Sequence, residues 1–295
     1  MRYLYLILIS IVIVSCNTTT EDTETDNIIV ETDDKTISTE SHTKIVKKIF
    51  YNVPSPIEIS TLLKDVGSEY NANYLNSYKK VNEYTTNEEM SLNLGIYGAD
   101  LSYNRLFDQI QESVNYFSSI KKLSDNLGIP QENGGAAAER LETNLENKDS
   151  LLTIISQTYS EADMYLKMNE RGSTASLIIL GGWIEALYIG TQIAKTSEGN
   201  LKLINNIAEQ KFSLDNLIGL LSNYKDDEVV SKYLLQLADL KESYDKVEIK
   251  YTRNEVKTDH EKGLTTIDNK SQITISNETF VEIMMKIEII RKNII

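Results

Sequence analysis

Cysteine, histidine and proline are almost absent from this chain of 295 residues, which contains one, two and three of them respectively. A single cysteine, Cys16, excludes an intramolecular disulfide. His42 and His260 are too few for a histidine-based zinc site, and no Ser-His-Asp or Cys-His arrangement can be built on them. No glycine-rich phosphate-binding motif occurs either. We therefore expect no metal and no cofactor, and we expect that the protein is not an enzyme.

Positive charge is also scarce, because 44 acidic residues outweigh 30 basic ones and the formal net charge is -14. Nucleic-acid binding depends on Lys and Arg that neutralise phosphates, so this composition argues against a nucleic-acid partner. It argues equally against adsorption to anionic lipid. No Pro- or Gly-rich linker divides residues 43–295, which predicts a single domain there.

The N-terminus has the pattern of a secretory signal peptide, with Arg2 followed by an apolar run from Tyr3 to Val14. A membrane-spanning helix needs about 20 apolar residues. The run is shorter than that, so residues 1–15 are predicted to be a signal peptide.

The motif Ile13-Val14-Ser15-Cys16 resembles the lipobox of bacterial lipoproteins. The resemblance implies cleavage before Cys16, a lipid thioether on its sulfur and an acyl chain such as palmitate on the new amino terminus. Together such chains give stable attachment, since each buried methylene adds about 0.8 kcal/mol. Asn17 replaces the Asp that favours inner-membrane retention in such lipoproteins, so an outer-membrane lipoprotein is expected, on either face. The alternative is an ordinary signal peptide with an incidental cysteine.

Residues 16–42 are predicted to form a disordered acidic tether. Positions 17–42 contain eight acids, one lysine and no aromatic residue. Such a segment cannot bury enough apolar surface to offset the entropy lost on ordering.

Residues 43–295 have helical periodicity over most of their length, which predicts an all-α fold, a single bundle of about 8–10 helices. Thr86 and Glu89 form a capping-box pattern that opens a long apolar stretch. That stretch is too long for one helix, so we expect a break at 104–108. Gly128 and Pro130 are expected to end it.

Two or three shorter helices are expected over 200–224, and Asp226 or Asp227 is expected to begin another long one. The region 248–276 alternates in part between apolar and polar residues, which predicts a short β-hairpin with Asp268–Asn269 as the turn. A final helix follows the hairpin.

The apolar stretch 177–193 could be mistaken for a membrane span. It is short, and it contains both Glu185 and the pair Gly181–Gly182. A helix that is apolar on nearly all sides is buried in lipid or in a large core. The short length and the charge favour burial in the core. Gly181 and Gly182 here, and Gly95 and Gly98 in an earlier helix, indicate tight helix crossings.

Acidic residues within these apolar helices are the main candidates for a functional site. Shifting the chain by 85 residues aligns 91–103 with 176–188, so that Asp100 matches Glu185 and Tyr103 matches Tyr188. The match reflects either a duplicated unit or chance. These four residues are the candidate ligand-binding set.

Each buried acid requires a partner, because an unpaired buried carboxylate is costly. A Tyr hydroxyl, a helix N-terminus or an arginine such as Arg105 or Arg171 could supply it. Glu161 and Asp163 pose the same question. Three explanations stay open: acids that fix helix packing, an acidic Tyr-lined cleft for a polar or cationic ligand, and a carboxylate pair for general acid–base hydrolysis.

The helical region resembles helical lipoproteins of Gram-negative envelopes, on the segments YNVPSPIEISTLLK, NLGIYGADLSY and GGWIEALYIGTQ. This general likeness transfers no catalytic residue. The leading hypothesis is a lipid-anchored, non-enzymatic helical module that binds or scaffolds another envelope protein. The alternatives are a small-ligand receptor and a carboxylate-dependent hydrolase.

Overall fold

The structure is a computed structural model, and it describes residues 69–130, 160–196, 200–259 and 264–295. The predicted signal peptide 1–15, Cys16 and the predicted tether 16–42 lie outside these ranges.

Six α-helices of 16 residues or more and one antiparallel hairpin make up most of the described chain. Residues 160–168 are also helical, and two 3-10 turns, Ala72–Tyr74 and Tyr78–Asn82, precede the first long helix. The predicted all-α class with a short hairpin is confirmed. The elements are α1 (Asn87–Leu106), α2 (Ile110–Asn126), α3 (Gly172–Thr196), α4 (Leu201–Ser222), α5 (Glu228–Asp245), β1 (Glu248–Asp259), β2 (Leu264–Thr274) and α6 (Asn277–Lys292).

Helix α1 begins at the predicted capping box. The Glu89 N–H donates to the Thr86 hydroxyl over 3.1 Å, and the Thr86 N–H donates back to the Glu89 carboxylate over 3.0 Å. Hydrogen bonds from the N–H groups of Thr85 and Thr86 lower the pKa of Glu89. A cap of this kind stabilises a helix by about 1 kcal/mol.

The predicted break between the first two long helices is confirmed. Helix α1 ends at Leu106, and Asp108 adopts a left-handed backbone conformation with φ of 58°. The Gln109 N–H donates to the carbonyl of Asn104 over 2.9 Å, which closes the C-terminus of α1. Helix α2 ends two residues before Gly128, which has φ of 65°.

Helices α1 and α3 cross with their backbones in contact. A Cβ atom built on Gly95 would lie 1.9 Å from the carbonyl oxygen of Ile178 and 2.6 Å from the nitrogen of Gly182. A Cβ atom on Gly181 would lie 2.0 Å from the carbonyl oxygen of Leu92. The tight crossing predicted from these glycines is confirmed for Gly95 and Gly181.

Helix α3 is long and apolar enough, by length and composition, to cross a membrane, and no other helix in the described ranges is. Within the bundle, 78% of its most apolar window is buried. Trp183 and Ile184 are at most 1% exposed. Its apolar character on all sides is accounted for by burial among α1, α4 and α6.

The prediction of two or three short helices over 200–224 is wrong, because α4 runs unbroken from Leu201 to Ser222. Leu203, Ile207, Leu214 and Leu221 are all buried and recur at spacings of four and seven residues. This continuous buried face outweighs the local preference of the intervening Asn and Ser for turns.

The predicted turn at Asp268–Asn269 is also wrong, because both residues lie inside β2, with Asn269 opposite Arg253. The connection between the strands falls earlier in the chain, between the end of β1 at Asp259 and the start of β2 at Leu264. Cross-strand pairs such as Ile249 with Ile273 place β-branched side chains together and set the register. Pairing along the whole ribbon therefore decides the turn position, and turn-forming residue types alone do not.

The crossing of α1 and α3 can be tested with Gly181→Ala. We expect a loss of about 1–3 kcal/mol in the free energy of unfolding, measured by urea denaturation, because the added methyl forces the two backbones apart. Gly219→Ala is the matched control, since Gly219 is also within a helix but a Cβ there meets nothing within 4 Å. That variant should be neutral or more stable by up to about 1 kcal/mol. Equal effects of the two substitutions would contradict the tight crossing.

Candidate functional site

The two predicted acids of the ligand-binding set meet in the centre of the bundle. Asp100 on α1 and Glu185 on α3 both have 0% relative exposure. They lie beyond the glycine crossing along each helix, and their spacing of 85 residues is the shift at which the two sequence segments align. Carboxyl groups buried this deeply need hydrogen bonds or an opposite charge.

Glu185 is neutralised by Arg291 of helix α6. The Nε–H of Arg291 donates to Glu185 Oε2 over 2.5 Å, and its Nη2–H donates to Oε1 over 2.7 Å. This is the bidentate geometry in which guanidinium and carboxylate groups bind most strongly. Arg291 is itself only 8% exposed, so both charges of the pair are removed from water.

Arg291 makes two further contacts that complete its surroundings. Its guanidinium carbon lies 3.9 Å from the ring centre of Tyr188, which is a cation–π contact, and its Nη2–H also donates to the carbonyl of Tyr74 over 3.2 Å. Burial by itself lowers the pKa of Arg291, but the Glu185 carboxylate more than offsets this, and the pKa lies above its ordinary value. The arginine is therefore permanently charged.

Asp100 has no cation of its own. Its Oδ2 accepts a hydrogen bond from the N–H of Asn76 over 3.2 Å, and its Oδ1 accepts none. Burial and the neighbouring Glu185 carboxylate raise its pKa well above the usual range, and Arg291 offsets only part of this effect. Hydrogen bonding with Glu185 adds to this rise in the pKa of Asp100.

Tyr103, the third residue of the predicted set, is fully buried and lies one turn beyond Asp100 on α1. Its hydroxyl accepts a hydrogen bond from the N–H of Asn71 over 3.1 Å, and its ring stacks on Tyr70 at a centroid distance of 5.5 Å. Burial raises the pKa of Tyr103 to about 12. Tyr188, the fourth residue, is half-buried against Arg291.

Residues 70–78, which we call the strap, cover this cluster. The strap contains no α-helix, and its backbone is bound by side chains of the bundle. The Asn76 carbonyl accepts from the Tyr116 hydroxyl over 2.8 Å, and the Ser77 carbonyl accepts from the Tyr97 hydroxyl over 2.9 Å. The strap backbone also binds Asp100, Tyr103 and Arg291, as described above. It is therefore held by hydrogen bonds with α1, α2 and α6.

The four predicted residues therefore share one neighbourhood, but it is filled by protein. Asp100 and Tyr103 bind strap N–H groups, and Glu185 and Tyr188 bind Arg291. The side chains that would line an acidic, Tyr-rich cleft instead contact the strap and Arg291 of the same chain.

The partners suggested from sequence for the buried acids, Arg105 and Arg171, are wrong. Arg171 donates to the carbonyl of Leu127 over 2.7 Å. Arg105 is buried, and its Nε and Nη1 have no hydrogen-bond partner in the described part of the chain. Burial lowers the pKa of Arg105, and Asp108 opposes this shift. Neither arginine pairs with Asp100 or Glu185, because both lie near helix ends, away from the centre of the crossing.

Two residues of the cluster, Arg291 and Asn76, were missed from sequence. Arg291 lies four residues after Ile287 and seven after Met284, both of which are buried, so it continues the apolar face of the last helix. A basic residue at such a position signals a buried ion pair. Asn76 carries no comparable signal, because it binds Asp100 through its backbone.

The other acids singled out from sequence do not join the cluster. Asp163 forms an ion pair with Lys167, one turn later in the same helix, at 2.5 Å. Burial raises the pKa of Asp163, and Lys167 opposes this shift. Glu161 is exposed. In the described ranges, no group of three His, Cys, Asp or Glu side chains is placed to hold a metal ion.

A shallow pocket of about 230 Å³ opens elsewhere, between α5 and α6, and none of the predicted set lines it. Beside the pocket, large apolar side chains face solvent: Leu235 is 73% exposed, Met285 54% and Ile289 58%. We call these three residues the apolar ridge. Its members were not predicted, because each reads in sequence as an ordinary position of an apolar helix face.

No protein family, no curated protein and no solved structure matches this chain.

The buried ion pair can be tested with Glu185→Gln. We expect a loss of about 3–5 kcal/mol in the free energy of unfolding, because the substitution leaves the Arg291 guanidinium buried without a counter-charge. Lys195→Ala is the matched control. It removes the 3.0 Å ion pair with Glu288, which joins the same two helices but is exposed, and it should cost at most about 1 kcal/mol. Similar losses in the two variants would show that the buried pair has no special role.

Proposed function

We propose that this chain is a lipid-anchored protein of the outer membrane of a Gram-negative envelope, in which the helical domain is a non-enzymatic binding or scaffolding module. The lipid on Cys16 attaches the protein to the membrane. The domain then binds another envelope protein through its surface.

The apolar ridge is the observation that carries this proposal. Leu235 of α5 and Ile289 of α6 line the same pocket, and Met285 lies one helical turn before Ile289. Each is more than half exposed. Contiguous exposed apolar side chains of this size mark interaction surfaces more often than isolated ones do.

The polar groups around the ridge already bind one another. Lys286 forms a 2.9 Å ion pair with Asp239, and the Asn293 amide donates to Gln236 over 3.2 Å. These contacts join α5 to α6 on either side of the pocket. A partner therefore gains most by placing an apolar side chain against Leu235 and Ile289, where it loses no hydrogen bond.

The receptor and the hydrolase both require Asp100 and Glu185 to be open to a ligand. Both carboxyls are fully buried, and Glu185 is bound to Arg291 through both oxygens. Retaining or inverting hydrolysis also needs space for a sugar or a water between two accessible carboxyls. We therefore favour the binding module over either alternative.

The lipid anchor rests on the lipobox resemblance, and Cys16→Ser tests it. Serine cannot form the thioether, so we expect the variant to lose lipid labelling and to move from the membrane fraction to the soluble fraction. Cell fractionation and metabolic labelling with an alkynyl palmitate measure both effects. A variant that is processed and sediments with membranes as the parent does would overturn the anchor.

The binding surface is tested by Leu235→Glu. A buried charge in an interface disrupts it, so we expect cross-linking to the envelope partner in intact cells to fall about tenfold or more. Leu201→Glu is the matched control, because Leu201 is 70% exposed, is also helical and lies outside the ridge.

The control should leave cross-linking unchanged, and both variants should unfold at the denaturant concentration of the parent. If Leu235→Glu leaves the cross-linked products unchanged, or if Leu201→Glu abolishes them equally, the ridge is not the binding surface.

A further inference from the structure

The cluster beneath the strap contains two carboxyl groups and one cation. Glu185 uses both oxygens to bind Arg291, so no positive charge is left for Asp100. All three groups are at most 8% exposed. The cluster is electrically neutral only when it holds one proton, and the unsatisfied Oδ1 of Asp100 is the atom placed to carry it.

The strap is the part of the enclosure that has no α-helical backbone. On one side, α1 and α3 touch backbone to backbone at Gly95 and Gly181, which leaves no room for adjustment. The strap has only 3-10 turns, and within it Asn76 is the one fully buried residue. Hydrogen bonds to bundle side chains, two 3-10 backbone bonds and aromatic contacts hold it in place, without a long helical ladder.

None of the titratable or charged groups that face Asp100 from the neighbouring elements can neutralise its carboxylate in place of the proton. Glu185 of α3 repels a negative charge, and Arg291 of α6 is already shared. The remaining titratable neighbours are tyrosines whose pKa is raised, chiefly by burial, so that they stay neutral near pH 7: Tyr70 and Tyr84 from the segment before α1, Tyr97 of α1 and Tyr116 of α2.

We propose that the strap is a proton-dependent cover, which closes over the Asp100–Glu185–Arg291 cluster when Asp100 is protonated and opens when Asp100 ionises. Loss of the proton leaves two buried carboxylates competing for one guanidinium. Lifting the strap admits water to Asp100 and relieves the repulsion. This inference is independent of the proposed binding function.

The direction of the pH effect follows from proton linkage. With the strap open, Asp100 is hydrated and titrates near its ordinary pKa of about 3.9. With the strap closed, its pKa is raised, so the closed state binds a proton that the open state releases. Rising pH above about 4 therefore favours opening, by at most tenfold per pH unit, until the pH passes the pKa of the closed state.

Amide hydrogen exchange of the full-length protein tests the cover. The reporters are the N–H groups of Asn71 and Asn76, which bind Tyr103 and Asp100 in the closed state. We expect their protection factors, corrected for intrinsic exchange, to fall by up to tenfold per unit as the pH rises from about 5. The fall in protection should be the same with and without a low concentration of urea, because a local opening exposes little new surface.

Asp100→Asn is the deciding variant, because its amide oxygen can still accept from Asn76 and its charge does not change with pH. Protection at Asn71 and Asn76 should then be independent of pH. Equal pH slopes in the parent and the variant would overturn the proposal. The proposal would also be overturned if the strap amides exchanged only when the whole protein unfolds. Their protection factors would then equal those of amides in α5, such as that of Ser231.

A measurement on the unmodified protein keeps the proposal testable if Asp100→Asn fails to fold. The carboxyl carbons of the aspartates are followed by NMR from pH 4 to 8. One aspartate should remain neutral well above pH 4, and its ionisation should coincide with the loss of strap protection. If every aspartate in the described ranges is ionised at pH 6 while the strap amides remain protected from exchange, the proposal is wrong.

Discussion

The bidentate ion pair between Glu185 and Arg291 is the contact on which the interior of the bundle depends. It joins α3 to α6 across 106 positions of the chain, and the same guanidinium binds the strap carbonyl of Tyr74 and the ring of Tyr188. A buried pair of this kind adds little net stability over apolar packing, but removing one partner is costly. Its main effect is therefore to select which helices pack together, and its effect on the stability of the bundle is smaller.

The crossing of α1 and α3 explains why a second carboxyl is present in the same place. Gly95 and Gly181 allow the two backbones to touch, and Asp100 and Glu185 follow them by about one turn. A close crossing thus forces two acids together in a region that one arginine can only partly neutralise. The raised pKa of Asp100 is a consequence of this approach.

The interior and the surface of the domain have different roles in this interpretation. The acids and tyrosines of the interior bind one another and the strap, which makes them part of the fold. On the surface, the apolar ridge of Leu235, Met285 and Ile289 exposes large apolar side chains from two adjacent helices to water. Binding is therefore proposed at the surface, and a proton-dependent cover is proposed in the interior.

Local patterns in the sequence determined the helical class, the Thr86–Glu89 cap, the break before α2 and the presence of glycines within α1 and α3, because each depends on residues close together in the chain. The sequence also identified Asp100, Tyr103, Glu185 and Tyr188 as a group. Only the tertiary structure decided their partners, since Arg291 and Asn76 come from distant segments and any arginine could have paired with a buried acid. The same holds for the continuity of α4 and the position of the hairpin turn, where burial and strand pairing over long stretches outweigh local preferences.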